Sequence, residues 1–462
     1  MNAEREEGLS AATMQLYAVV NPASGELLRA HSAGRDEAID AALDAAAQAY
    51  AHWARQTSVA QRAQLLSTVA ALHDVRSGEL AEVIHREMGK PLDQAIAEVE
   101  FSASIYRYYA ENAHKFLADE PVELLGGRRH GLHPSAADRH VAWLMPWNYP
   151  YYQVARFAAA NLALGNTILL KHASQCPESS CALQQIFTDA GYPAGCYVNV
   201  YATNEQIALA IADSRARGVS FTGSERAGAE VAERAGRSLK KVVLELGGSD
   251  SFIVLSFHDL EATIQAAVDA RFENTGQACN AGKRIIVADE IYDAFLDSFT
   301  QNVLAQADGL APLSSVAATE RLEEQVRRAV EDGATLVCKG RRDGAYFPPA
   351  ILTGLSPTSP SAAEELFGPV PIVYRAGTED EAVGLANGTP YGLGPTCSRR
   401  TRSKLCASQT RSTQAWSSST VLASRARRTA FRRVKRSGFG RELGRAGIDE
   451  FAGKKLIRTA RA

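Results

Sequence analysis

The chain has 462 residues, of which 46% are hydrophobic, and its formal net charge is −2. This length exceeds an ordinary single domain, so we expect two or three domains. The near balance of charge excludes a general attraction of the whole molecule to nucleic acid or to anionic membranes. No apolar run is long enough for a membrane span, and residues 1–13 lack the apolar core of a secretory signal.

The seven cysteines are scattered along the chain, and no pair of them shows CxxC or zinc-ligand spacing. An odd number of cysteines without a pairing pattern is typical of a reducing compartment. We therefore expect a cytoplasmic protein without a bound metal. Cys338, which lies in a predicted strand at 334–339, is expected to be buried.

The first quarter of the chain is predicted to be a β-hairpin followed by four helices. The hairpin covers Tyr17–Ala30, with its turn at Asn21–Gly25. Helical periodicity then predicts helices at 36–54, 59–72, 80–88 and 92–116. The polar segment that follows, residues 121–134, shows only weak strand character.

From Val141 to Val254 short apolar strands alternate with helices, which predicts a parallel sheet covered by helices. One strand, Thr167–Lys171, ends in a cation. The sequence GxGxxG is absent from the strand ends. Instead, Gly223 and Ser224 open a predicted helix, and such a helix start can hold a pyrophosphate.

Three polar residues in this middle region could carry chemistry. Cys279 follows a polar, glycine-containing loop, and a cysteine thiolate is a strong nucleophile. Glu245 ends a short apolar run, and a carboxylate there can act as a general base. Asn148 lies between two prolines, and an amide held rigidly in this way can stabilise an oxyanion. Each residue also has a simpler interpretation. Cys279 could be a buried packing residue, Glu245 a solvated turn residue, and Asn148 part of an Asx turn.

The motifs that contain these three residues, taken together, indicate a function more specifically than any one of the residues. LELGG with Glu245 and NTGQAC with Cys279 resemble the two signature motifs of the NAD(P)-dependent aldehyde dehydrogenase superfamily. The likeness extends from about Leu16 to Gly394 and resumes at Val434. It implies that Cys279 is the nucleophile and Glu245 the general base. Through PWNYP it implies that Asn148, with the backbone N–H of Cys279, stabilises the oxyanion.

The resemblance also implies an α/β fold with three parts. A Rossmann-type dinucleotide-binding domain would cover residues 1–117 and 138–246, and an α/β catalytic domain would cover 247–446. A small β extension for oligomerisation would cover 118–137 and 447–462. We therefore expect a homodimer or homotetramer.

A nicotinamide cofactor is implied as well. The residues that would bind it by resemblance are Trp147, Lys171, Ser174, Gly223, Ser224, Glu365 and Phe367. Many NAD-specific relatives carry a glutamate where this chain has Ser174. A carboxylate would repel the 2′-phosphate of NADP, whereas a hydroxyl can hydrogen-bond it. We therefore predict that the chain uses NADP, or both cofactors, in preference to NAD alone.

Within the superfamily the chain resembles the bacterial succinate-semialdehyde dehydrogenases. Arg156 matches an arginine that those enzymes use for the substrate carboxylate, a task that suits a guanidinium. The alternative interpretation is that Arg156 is a structural arginine at the surface or between domains. Before NTGQAC, where some of these enzymes place a second arginine, this chain has Glu273. The predicted reaction is the oxidation of succinate semialdehyde, or of another aliphatic aldehyde, through a Cys279 thioester with hydride transfer to NAD(P).

Residues 395–433 depart from the family. They contain ten of the 50 basic residues, none of the 52 acidic ones, and fourteen serines or threonines. The family has a helix, an apolar strand and a PFGG loop here, whereas this chain ends the segment with AFRR. Three interpretations remain open: two compensating reading-frame shifts that leave an impaired or inactive relative, a basic arm that binds polyanions, and a divergent but folded segment.

Overall fold

A computed structural model of the chain describes residues 16–123, 129–137, 140–394, 396–398, 418–419 and 431–457. The predicted hairpin is confirmed, with antiparallel strands β1 (Leu16–Val20) and β2 (Leu27–Ser32). The four predicted helices follow, with their ends shifted by a few residues. They are α1 (Asp36–Gln56), α2 (Val59–Val75), α3 (Ser77–Met88) and α4 (Leu92–Phe116).

After α4 the chain forms strands β3 (Glu120–Glu123) and β4 (Arg129–Ala137). It then builds the predicted parallel sheet, which has the order β9-β8-β5-β6-β7. Its strands are β5 (His140–Leu144), β6 (Thr167–Lys171), β7 (Tyr197–Asn199), β8 (Ala216–Thr222) and β9 (Lys241–Glu245). Its helices are α5 (Tyr152–Leu164), α6 (Pro177–Asp189), α7 (Asn204–Ala212) and α8 (Glu225–Arg237).

A second, seven-stranded sheet has the order β12-β13-β14-β11-β10-β15-β16 and is parallel except where β12 meets β13. Its strands are β10 (Asp250–Val254), β11 (Gly282–Ala288), β12 (Thr335–Cys338), β13 (Ala350–Thr353), β14 (Ile372–Ala376), β15 (Thr396–Ser398) and β16 (Ser418–Ser419). Its helices are α9 (Leu260–Phe272), α10 (Asp289–Leu304), α11 (Val316–Glu331) and α12 (Glu379–Asn387).

Cys338 is exposed, so the prediction that it would be buried was wrong. It lies on β12, which forms one edge of this sheet and presents mostly exposed residues. The sequence of this apolar edge strand resembles that of a buried central strand. Only the tertiary structure shows which strand has a single neighbour.

The last part of the chain pairs with two earlier sheets. β17 (Phe431–Arg432) pairs with β19 (Arg441–Glu442), and β18 (Gly438–Phe439) joins β9, with Gly438 opposite Glu245. A short helix (Gly444–Glu450) leads to β20 (Ala452–Ile457), which completes a three-stranded sheet with β4 and β3. β18 thus falls within the range predicted for the catalytic domain but extends the other sheet.

Most of the unusual segment 395–433 lies outside the described residues. Within it the structure gives the short strands β15, β16 and β17 and the residue that follows them, Arg433. Among the described residues, no helix combines the length and the apolar character needed to cross a membrane.

Candidate active site

Cys279 lies just after a strained turn. The turn Glu273–Gly276 connects α9 to the loop before β11, and Asn274 and Thr275 in it have φ angles of 53° and 54°. A β-branched residue rarely adopts this left-handed conformation, and such strain is common at functional sites. Gly276 has φ 78°, and a Cβ on it would lie 2.4 Å from the carbonyl oxygen of Gly368. The turn therefore requires glycine there.

Two buried cations hold the backbone on either side of this loop. The Arg271 guanidinium donates to the carbonyl oxygens of Gly276 at 3.3 Å and Leu366 at 2.9 Å. Lys283 Nζ donates to the carbonyl oxygens of Ala278 and Cys279, both at 2.7 Å. The position of the sulfur is therefore fixed from both directions.

Cys279 lies where two cavities meet. A cavity of about 380 Å³ reaches it from one side and a cavity of about 270 Å³ from the other, and Gln153 is the other residue that lines both. The larger cavity is lined by residues that include Glu98, Phe101, Tyr149, Tyr152, Arg156 and Glu273. The smaller cavity is lined by residues that include Trp147, Asn148, Gly223, Ser224, Glu245, Glu365 and Phe367. The structure therefore brings Cys279, Glu245 and Asn148 to one cavity.

The Asn148 loop is fastened to the Cys279 loop by side-chain amides. Asn148 Nδ2 donates to the carbonyl oxygen of Gln277 at 3.0 Å, and Asn274 Nδ2 donates to the carbonyl oxygen of Asn148 at 3.0 Å. These bonds hold the Asn148 amide beside the segment that carries the sulfur. The arrangement is compatible with the predicted oxyanion role.

Burial raises the pKa of the Cys279 thiol to about 11, while Lys283 and Arg156 act in the opposite direction. Removal from water disfavours the charged thiolate, and nearby cations favour it. The thiol is thus protonated at neutral pH in the chain by itself.

The two glycines of LELGG allow the Glu245 strand to approach the Cys279 loop. A Cβ on Gly247 would lie 2.1 Å from Glu365 Oε2, and one on Gly248 would lie 2.7 Å from the carbonyl oxygen of Cys279. Glu365 accepts a hydrogen bond from the backbone N–H of Gly248 at 3.1 Å and pairs with Lys283 at 3.1 Å.

Glu245 is buried among charged groups. Its Oε2 pairs with Arg156 and its Oε1 with Arg433, and Arg156 also pairs with Glu442 at 2.8 Å. The sequence reasoning missed Arg433 and Glu442. They reach the site because β17 pairs with β19 next to β9, and no pattern local to either residue indicates that placement.

The smaller cavity has features that suit the nicotinamide and pyrophosphate part of a dinucleotide. Ser224 caps α8, with its side chain accepting from the backbone N–H of Ala227, so the helix start faces the region where a pyrophosphate would bind. The rings of Trp147 and Phe367 lie 5.7 Å apart at 88°, which gives the cavity an aromatic wall. These features agree with the cofactor that the sequence implies.

Lys171 and Ser174 do not line this cavity. They lie at and just beyond the carboxyl end of β6, on the other side of β5 from β8. The carbonyl oxygen of Ser174 accepts from the backbone N–H of Ala18 at 3.0 Å. Burial lowers the pKa of Lys171. The structure places both residues at the same sheet edge as Gly223 but does not bring them into contact with the other predicted cofactor residues.

The larger cavity contains one cation. Among the described residues that line it, Arg156 is the only basic one, and it is buried. Two carboxylates in the cavity wall are engaged: Glu98 accepts from the backbone N–H of Tyr151 and pairs with Lys90, and Glu273 accepts from Tyr149 Oη at 3.3 Å. Arg156 remains the predicted substrate-binding residue, although its guanidinium also pairs with Glu245 and Glu442. In the described part of the chain, no three His, Cys, Asp or Glu side chains are placed to hold a metal.

Comparison with known proteins gives a consistent result. Residues 9–457 match the model of the aldehyde dehydrogenase family. The chain is 44% identical to the NADP⁺-dependent succinate-semialdehyde dehydrogenase of Deinococcus radiodurans, over 96% of this chain and 94% of that protein. A crystal structure of the Streptococcus pyogenes succinic semialdehyde dehydrogenase with NADP⁺ superimposes with a TM-score of 0.92 at 34% identity, covering 96% of this chain and 100% of that one.

Proposed function

Because the chain belongs to the aldehyde dehydrogenase family, we propose that it oxidises succinate semialdehyde to succinate with NADP. One observation carries the proposal: Cys279 lies at the junction of two cavities, one lined by the residues predicted for the nicotinamide and pyrophosphate and one whose only described basic lining residue is Arg156. The relatives named succinate-semialdehyde dehydrogenase [NADP(+)] support the substrate and the cofactor.

Cys279 carries the first step. Cys279 first loses its proton to solvent, and the resulting thiolate, which Lys283 and Arg156 favour, attacks the aldehyde carbon and forms a thiohemiacetal. The Asn148 amide and the backbone N–H of Cys279 stabilise the oxyanion, and one such donor contributes about 3 kcal/mol in other acyl-transfer enzymes. Arg156 binds the distal carboxylate of the substrate and so selects a semialdehyde over a neutral aldehyde.

The residues that would hold NADP are Trp147, Gly223, Ser224, Glu365 and Phe367 in the smaller cavity, with Lys171 and Ser174 toward the adenine ribose. When bound, the cofactor supplies the two-electron oxidation that converts the thiohemiacetal to a thioester. Phe367 and Trp147 wall the cavity beside Cys279 and limit the access of water during this step.

Glu245 completes the reaction. Its carboxylate accepts a proton from the water that attacks the Cys279 thioester, and the C–S bond breaks to release succinate and the thiol. Glu245 and Cys279 line the same cavity, as this step requires.

The test compares succinate semialdehyde with butanal, a neutral aldehyde of the same chain length, and NADP with NAD, by the formation of the reduced cofactor. We expect the highest kcat/KM for the semialdehyde with NADP. Cys279→Ala should abolish turnover while NADP still binds, as measured by calorimetry. Equal kcat/KM for both aldehydes would contradict the substrate, and turnover by Cys279→Ala would contradict the mechanism.

A second candidate, an impaired dehydrogenase, is favoured by one observation. Arg433, from the segment that departs from the family, pairs directly with the proposed general base.

A further inference from the structure

We propose that Arg433 is a positioning residue that restrains Glu245, so that the chain hydrolyses its Cys279 thioester more slowly than it forms it. The inference rests on the proposed function, because it concerns the second half of the same reaction. It concerns a residue that the general mechanism does not use.

The first step of the argument is the geometry of the pair. Both carboxylate oxygens of Glu245 are occupied by guanidinium groups, Oε2 by Arg156 and Oε1 by Arg433. All three side chains are buried. A general base must present a lone pair to water, and a carboxylate that already neutralises two guanidiniums is a poor proton acceptor.

The second step is the balance of charge in the cluster. Arg156 and Arg433 face Glu245 and Glu442, so two positive and two negative groups share one buried site. Burial lowers the pKa of Arg433, and Arg156 beside it acts in the same direction. An arginine nevertheless stays protonated in proteins, so it remains a cation here and holds Glu245 rather than leaving it.

The third step separates the two half-reactions. The attack uses the thiolate of Cys279, whose proton goes to solvent and which Lys283 and Arg156 favour, so this step does not need Glu245 as a base. Hydrolysis requires Glu245: the C–O bond to water forms, the C–S bond breaks, and the water proton passes to the carboxylate and then to the leaving thiolate. Arg433 therefore slows only the step that needs the base, and the acyl-enzyme accumulates.

The experiment isolates hydrolysis by using p-nitrophenyl acetate without cofactor at pH 9, where the Cys279 thiolate is about a hundredfold more abundant than at pH 7. The ester acylates Cys279 and releases nitrophenolate, and hydrolysis of the thioester then limits the steady state. We expect the native chain to show a burst of one nitrophenolate per active site followed by a slow phase. Arg433→Gly should keep the burst and accelerate the slow phase by about tenfold or more, since a general base contributes about 10²–10⁴-fold.

Two further measurements distinguish restraint of the base from a general structural effect. Hydroxylamine attacks the thioester without a general base, so it should accelerate the slow phase of the native chain strongly and that of Arg433→Gly weakly. Glu245→Gln should change the slow phase little in the native chain and should cancel the gain in the Arg433→Gly background. Arg433→Lys, which keeps the charge, should retain the slow phase.

The controls cover folding and specificity. Arg433→Leu fills more of the site than glycine and serves if Arg433→Gly does not fold. Arg375→Gly removes an exposed arginine that pairs with Asp289 and Asp293, and it should behave like the native chain.

Three outcomes would overturn the proposal. If Arg433→Gly and Arg433→Leu both fold and both show a slow phase as slow as that of the native chain, the inference alone is overturned. A native chain with no burst at all, and no acetyl group on Cys279 by mass spectrometry, would overturn the proposed function and this inference together. A native chain that hydrolyses the thioester faster than it forms would overturn the inference and leave the proposed function standing.

Discussion

At the scale of single residues, the site is defined by how each charged or reactive group is buried. The Cys279 thiol lies between two cavities, and burial raises its pKa to about 11 although Lys283 and Arg156 oppose the shift. Glu245 lies among two guanidiniums and a second carboxylate. The same Arg156 therefore affects both the nucleophile and the base.

The raised pKa of Cys279 predicts a slow and strongly pH-dependent alkylation of the chain without cofactor. Only the thiolate reacts. While the pH stays below the pKa, the thiolate fraction rises about tenfold for each unit by which the pH increases. The rate of iodoacetamide labelling at Cys279 should therefore rise without a plateau from pH 7 to 10. Peptide mass spectrometry measures this rate separately from the exposed Cys181 and Cys338. A plateau near pH 8 would show a lower pKa than burial implies.

We predict that the cofactor preference depends on Ser174, three residues beyond the end of β6. Ser174→Glu should reduce kcat/KM for NADP by about tenfold or more, equivalent to about 1.4 kcal/mol, and should leave or raise the value for NAD. The reason is repulsion between the new carboxylate and the 2′-phosphate. Ser174→Gln has nearly the same size without the charge and is the matched control. An equal loss with both substitutions would indicate a steric effect and would contradict the electrostatic argument.

At the scale of the elements, the carboxyl ends of two strands of one sheet meet a turn that precedes a strand of the other sheet. β9 delivers Glu245, the loop after β5 delivers Asn148, and the turn between α9 and β11 delivers Cys279. Close backbone approach makes this possible, and it requires glycine at positions 248 and 276. The need for glycine therefore arises in the loops and turns between the helices and strands.

Gly276→Ala tests this constraint. The added Cβ would lie 2.4 Å from the carbonyl oxygen of Gly368, so the turn must shift and move Cys279. We expect activity to fall by about tenfold or more, since small displacements of reacting groups have effects of this size. Gly354 has a similar φ, +71°, with no atom within 4 Å of its Cβ position. Gly354→Ala therefore carries the same backbone strain without the clash, and equal activity loss in both variants would contradict the argument.

At the scale of the whole molecule, the three-stranded sheet β20-β4-β3 and the segment 395–433 raise the remaining questions. The sheet joins residues 120–123 and 129–137 with residues 452–457, and its edge strands β3 and β20 have a single partner each within the described chain. We propose that this sheet extends across a subunit interface in a cytoplasmic homodimer or homotetramer.

Light scattering after gel filtration tests the assembly. The mass should be two or four times the 49.6 kDa of the chain. Deletion of residues 452–462 removes β20 and should lower the mass toward that of one chain, while circular dichroism shows whether the rest remains folded. A folded truncated chain of unchanged mass would place the interface elsewhere.

The reading-frame interpretation of residues 395–433 predicts that the gene, read in a shifted frame, encodes an apolar strand and PFGG. Resequencing the gene tests this directly. A chain restored in this way would have glycine in place of Arg433 and should hydrolyse the acyl-enzyme faster, as Arg433→Gly does. A gene with no such alternative frame would leave the polyanion-binding arm and the divergent folded segment as the interpretations.

The sequence by itself determined the alternation of strands and helices and the motifs around Cys279, Glu245 and Asn148, because periodicity and short motifs are local properties of a chain. The tertiary structure decided what surrounds those motifs. Neither the exposure of Cys338 nor the approach of Arg433 and Glu442 to Glu245 could be predicted, since they depend on which strands become neighbours. Contacts between residues far apart in the chain, and the charge balance they create, exist only after the sheets have formed.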